Sequence, residues 1–170
     1  MKLIPFFEKQ INKWNDDNKC GQCFRFYAPL TEESLNKQQI EDCCVNVMLT
    51  RDRNNAFGVD RTYNALVGNL SDTFEYKNFT LFFIVPQGVN LNNYKEILNN
   101  DTTNSKSVLL EDLEQCIIDT ELDFCEFIGQ DWQLTQWNAQ QLLNFRDNNY
   151  TGYRVNVSIR KRKLKQQCEN

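Results

Sequence analysis

The sequence predicts an α+β fold in which one mostly antiparallel sheet packs with two or three helices. Three patterns carry that reading. Apolar residues at helical spacing open the chain (Ile4, Phe7, Ile11, Trp14) and return near residues 107–128 (Leu109, Leu113, Cys116). A continuous apolar run, Phe79-Thr80-Leu81-Phe82-Phe83-Ile84-Val85, has the length of a strand covered on both faces. Near the end, Tyr153, Val155, Val157 and Ile159 alternate with Arg154, Asn156, Ser158 and Arg160, which marks a strand with one buried and one wet face.

Each element follows in order. Pro5 suits the first position of a helix over residues 5–17, whose apolar stripe docks onto the protein's own sheet; Asn18 and Gly21 end it. Residues 23–27 read as a short strand or extended arm, and 31–39 as a loop with one helical turn. Residues 43–51 form a strand in which Val45, Val47 and Leu49 alternate with Cys44, Asn46 and Met48. Residues 51–72 are rich in Asn, Asp and Gly and read as a long loop, which in a compact domain is functional or folded on itself. The strand at 73–86 is closed by Pro86 and Gly88. Asn90 caps a short helix carrying Leu91, Tyr94, Ile97 and Leu98, residues 99–106 form a loop, and Ser107 caps a longer helix that Gly129 stops. Residues 132–145 fit strand or helix equally. A polar turn at 146–152, closed by Gly152 with its access to positive φ, leads into the final strand. No linker or repeat divides the chain, so residues 1–170 read as a single domain.

Composition excludes several chemistries. Apolar residues make up 41% and charged residues 25%, as in ordinary globular proteins. The net charge of -4 argues mildly against nucleic acid as the main partner. Histidine is absent, so there is no Ser-His-Asp or Cys-His pair and no His-ligated metal. No Gly-rich phosphate loop is present. The expectation is therefore a non-enzyme without cofactors. The five residues Leu3-Ile4-Pro5-Phe6-Phe7 are too few for a secretory apolar core, and the run at 81–85 is far shorter than a membrane span, so neither a signal peptide nor a membrane helix is expected.

Seven cysteines are an odd count without a secretion signal, which argues against a disulfide framework. Most are expected as small buried apolar residues. Cys20-Gly21-Gln22-Cys23, with Cys43 and Cys44 downstream, could supply thiolates for zinc through Cys20, Cys23 and Cys43. Adjacent strand residues face opposite ways, which makes Cys43 and Cys44 poor joint ligands.

Two segments are candidate contact surfaces. The 51–72 loop mixes charge and aromatic side chains, and its Arg51, Arg53, Phe57, Arg61 and Tyr63 suit an interface. The run Arg160-Lys161-Arg162-Lys163 opens a basic tail at 160–170 that could face DNA phosphates in a salt-dependent way.

In its order of elements the whole chain resembles small neck and tail ring proteins of tailed bacteriophages, of the tail-terminator-like and head–tail connector type. It is most similar to those of crAss-like podophages of Bacteroidota. The resemblance rests on Phe7-Ile11-Trp14 at the start, the strand at 79–85, the acidic-apolar helix at 109–118, and the ending. That ending combines Phe145, the turn Arg146-Asp147-Asn148-Asn149-Tyr150-Thr151-Gly152, the strand Tyr153-Arg154-Val155-Asn156-Val157, and Cys168. The long 51–72 segment and the C-x-x-C depart from the pattern.

The resemblance implies a tail-terminator-like fold and a structural virion protein joining portal or head to tail. It further implies a homo-oligomeric ring, a dodecamer in preference to a hexamer. The neighbours would be portal, adaptor or adjacent tail ring proteins, with non-specific contact to genomic DNA in the channel and no membrane. Assembly would occur in the bacterial host cytoplasm and the mature location would be the virion. The alternative reading is a small nucleic-acid-binding or thiol/zinc-binding cytosolic protein.

Overall fold

The apolar run at residues 79–85 lies in the strand around which everything else is placed. The computed structural model describes residues 2–17, 23–29, 44–51, 57–64, 69–86, 102–145 and 150–163. Within them the order is α1 (Leu3–Asp16), β1 (Cys23–Tyr27), β2 (Cys44–Thr50), β3 (Phe57–Asn64), β4 (Asn69–Pro86), α2 (Thr102–Ile128), β5 (Gln133–Phe145) and β6 (Tyr150–Lys163). The fold is α+β. The strands form one sheet in the order β1-β2-β4-β6-β5, and β3 also pairs with β4. Among the described strands β1 and β2 run parallel and the other pairs are antiparallel.

β4 has 18 residues and organises the sheet. One of its edges pairs with β6 from Thr73↔Lys163 to Pro86↔Tyr150. Its other edge is shared, with β3 taking residues 69–77 and β2 taking residues 80–84. Phe79, Leu81, Phe83 and Val85 face the helices with Val45, Val47 and Leu49 of β2 and Tyr153, Val155, Val157 and Ile159 of β6. Phe82 and Ile84 point the other way and form a second, smaller cluster with Met48, against which Tyr27, Leu142 and Tyr150 pack. Burial on both faces is what the unbroken apolar run predicts.

Both helices lie on the first face. Leu3, Phe7, Ile11 and Trp14 of α1 are buried. The spacing predicted Ile4 in that stripe, but Ile4 is exposed and Leu3 takes the place, because Leu3 is in step with Phe7 and Ile11 at four-residue intervals. The helix starts two residues before Pro5, which the first turn tolerates since its N–H has no helical acceptor in any case. In α2 the buried face is Leu113, Cys116, Ile117, Thr120, Phe124 and Ile128. The Thr120 hydroxyl donates to the Cys116 carbonyl at 2.6 Å and so satisfies itself within the helix. Gly129, at φ 64, ends α2.

The helices run antiparallel. Phe6 stacks on Phe127 at 4.3 Å between ring centroids, Gln10 Nε2 donates to the Asp123 carboxylate, and Trp14 and Asp17 line one hollow with Asp119.

Several expectations are corrected. Residues 51–72 are not one long loop: residues 57–64 form β3 and β4 begins at Asn69. Alternation of Phe57, Val59, Arg61 and Tyr63 with smaller residues is a strand pattern hidden by the Asn and Asp around it. Residues 102–106, expected as loop, belong to α2; Asp101 and Thr102 suit a helix start as well as Ser107 does. Residues 132–145 resolve to strand β5. The basic run is not a tail at its start, because β6 continues through Lys163. Gly152 lies inside β6, not in a turn before it. The expected helix at 90–98 lies outside the described residues.

Candidate interaction surfaces

Arg51 is exposed at the end of β2, while Arg53 lies outside the described residues. Phe57, Arg61 and Tyr63 are on β3, opposite Lys77, Thr73 and Leu70 of β4. These candidates therefore belong to a paired strand, not to a free arm.

The basic run is divided by the strand that carries it. Arg160 lies on the face away from the helices, where its Nε donates to Gln133 Oε1 at 2.9 Å and its guanidinium sits 4.9 Å from the Phe74 ring centre. Lys161 points to the helix face and pairs with Asp131 at 3.2 Å. Successive strand residues alternate sides, so the run does not present Arg160 and Lys161 as one cationic patch. The side chains of Arg162 and Lys163 lie outside the description.

Cys20 and Cys43 are outside the described residues, and Cys23 is exposed at the start of β1. Among the described residues no three His, Cys, Asp or Glu side chains gather to hold a metal ion. Cys116 is buried as expected, but Cys23 and Cys125 are exposed. The Cys125 thiol is held above its ordinary pKa by lost hydration first and by the Glu121 carboxylate second, which keeps it protonated and weakly nucleophilic.

Sequence reasoning missed a groove between the two helices. Between the start of α1 and the end of α2 lies an open groove of about 890 Å³. Phe6, Phe127, Ile128 and Trp132 supply apolar surface, and Lys9, Lys13 and Lys161 line it together with Asp123, Glu126 and Asp131. Lys77 lies 5.0 Å from the Trp132 ring centre, a cation–π contact across the end of the sheet. The signal was faint because α1 ends at Asp16 and α2 begins only at Thr102, and only their antiparallel packing joins Phe6 to Phe127. Further along α2, Ile118 and Leu122 are 50% and 66% exposed, one turn apart on its outward side. No family model matches this chain, and no curated protein matches it. Among the described residues no helix is long and apolar enough to cross a membrane.

The sheet face away from the helices is polar at its β6 side. Asn156 Oδ1 accepts from Thr80 Oγ1 and from Arg154 Nε, each at 3.2 Å, and the Arg154 guanidinium lies 5.9 Å from the Phe82 ring centre. Arg154, Asn156 and Ser158, expected on the wet face, are half-buried there.

Proposed function

We propose that this protein is a structural subunit of a virion, a neck or tail ring protein of a tailed bacteriophage of the crAss-like kind that joins portal or head to tail. The observation that carries the reading is the outward side of α2. Two large aliphatic side chains, Ile118 and Leu122, stand in solvent on a helix whose opposite side is buried from Leu113 to Ile128. Such apolar exposure suits coverage by another protein. A ring closes when one surface of each copy meets a different surface of the next, and a rigid sheet backed by two helices suits that repeated contact. The order of elements described for the sequence supports the same reading.

Native mass spectrometry and negative-stain imaging of the purified protein test it. The expected result is a closed ring, a dodecamer in preference to a hexamer. The double substitution Ile118→Asp and Leu122→Asp should abolish the ring and leave circular dichroism unchanged. A wild-type protein that stays a single chain, alone and with the neighbouring particle proteins, overturns the proposal. DNA binding is the second reading, and strong salt-sensitive binding by the single chain would favour it; the intramolecular partners of Arg160 and Lys161 argue against it.

A further inference from the structure

The two outer strands of the sheet are treated very differently. β1 is five residues long and carries Arg25. At Phe24 both of its backbone groups are already taken. The Asn15 side chain accepts from Phe24 N at 2.8 Å and donates to Phe24 O at 3.0 Å, so α1 caps that edge. Charge, short length and covering groups are the usual means of stopping one sheet from adding to another.

β5 has none of these. Among the described residues its only strand partner is β6, and none of them pairs with its outer edge. Its 13 residues, QLTQWNAQQLLNF, include no Asp, Glu, Lys, Arg or Pro. Register shifts occur at Leu134/Gln136 and Leu142/Phe145, but the seven residues between them pair with β6 without interruption. That regular stretch is about 24 Å long at the usual rise per residue. Gln136, Asn138, Ala139, Gln140 and Gln141 are all exposed. The strand is also anchored, since the Trp137 ring packs 5.9 Å from Phe124 in the core. An anchored edge keeps its backbone N–H and C=O groups in ladder geometry before any partner arrives.

We propose that this edge binds the same edge of a second copy of the chain, antiparallel, to give a continuous sheet across a two-fold axis. The sequence is self-complementary about Asn138. In that register Asn138 meets Asn138, Gln136 meets Gln140, and Trp137 meets Ala139, the large ring opposite the smallest side chain. Identical amides can donate and accept to one another, and no like charges are brought together. A heterologous partner strand would be free to carry complementary charge, and β5 offers none to read. The contact stands apart from the ring reading, because an isologous interface closes on two copies whereas a ring needs a heterologous one.

Native mass spectrometry tests it, with amide exchange as a second measurement. The wild-type protein should contain even numbers of chains, and amides within 136–142 should exchange more slowly at high than at low protein concentration. The double variant Asn138→Lys with Gln140→Lys places like charges opposite in this register, and also where the two-fold axis passes through Ala139 or Gln140 instead, and should halve the smallest assembled mass. The matching variant with Glu at both positions should do the same. Mixing the two should restore the dimer, which a merely misfolded variant could not do. A wild-type single chain, or Lys and Glu variants of unchanged mass, overturns the inference. A ring that survives both double variants sinks this contact and leaves the ring reading intact. Dimers that persist when the α2 variant has lost the ring do the reverse.

Discussion

Gly152 and Tyr153 are neighbours in β6 with opposite tasks. Gly152 has φ 146, and a Cβ placed there would lie 1.8 Å from the Phe83 carbonyl oxygen and 2.9 Å from its carbon. The atoms in the way are backbone of the central strand, so they cannot turn aside. Gly152→Ala must therefore break the β4–β6 ladder locally, and a loss of about 3 kcal/mol or more is expected, read as a fall in the urea midpoint. An unchanged midpoint would contradict the close approach. Tyr153 points to the other face, where its hydroxyl donates to the Glu114 carboxylate of α2. Loss of hydration, then the hydrogen bond and charge of Glu114, then the charge of Glu111 push its pKa well above the ordinary tyrosine value. The folded state thus holds this proton more tightly than the unfolded state does. The stabilisation is complete below the unfolded value of about 10 and is lost as pH rises through and beyond it. Melting temperature should fall less steeply above about pH 10 in Tyr153→Phe than in the wild type. Parallel curves would show that another group governs alkaline unfolding.

At the scale of elements, the strong patterns were legible and the interrupted ones were not. Strands β2, β4 and β6 show either alternation or a continuous apolar run, so burial alone dictates their place. Gly129 marked the end of α2 because its φ of 64 is one that few other residues adopt. β3 was hidden because its polar and charged residues outweigh Phe57, Val59 and Tyr63, and because its stability comes from pairing with β4, which sequence spacing does not display. The groove and the place of β5 at the end of the described sheet were illegible for the same reason, since both are products of which elements become neighbours. The corrected reading of β3 changes what its removal should do. Replacing residues 52–68 by a short turn strips β4 of the strand on one edge from Asn69 to Lys77, while β6 still holds the other edge from Thr73 onward. Amides of residues 69–77 should then exchange faster and the urea midpoint should fall, while residues 79–85, still held by β2 and β6, stay protected. Unchanged exchange at 69–77 would show that β3 contributes nothing to the ladder.

Over the whole molecule, one ring touches more of the helix layer and the sheet together than its neighbours do, although Phe7 and Trp14 of α1 also reach Phe79 and Phe83 of the sheet. Phe124 of α2 is fully buried and has ring neighbours on three other elements. Its centroid lies 5.6 Å and 5.8 Å from Phe6 and Phe7 of α1, 5.8 Å from Phe79 of β4, and 5.9 Å from Trp137 of β5. Aromatic pairs at such distances add about 0.5–1.5 kcal/mol each beyond the area they bury. Removing the ring leaves a void bounded by a backbone ladder on one side and two helices on the other, which cannot collapse freely. Phe124→Ala should therefore cost about 3–5 kcal/mol, a large part of the roughly 5–15 kcal/mol that a domain has in total. Phe127 lies one turn away on the same helix, stacks on Phe6, and is 40% exposed. Its replacement by Ala should cost much less, since solvent can fill the space it leaves. Because Phe124 ties both layers together, its variant should lose helix and sheet in a single step, with far-ultraviolet dichroism and tryptophan fluorescence falling along one curve. If the two signals separate, or if Phe127→Ala proves as damaging as Phe124→Ala, the helix layer is held by contacts other than this ring.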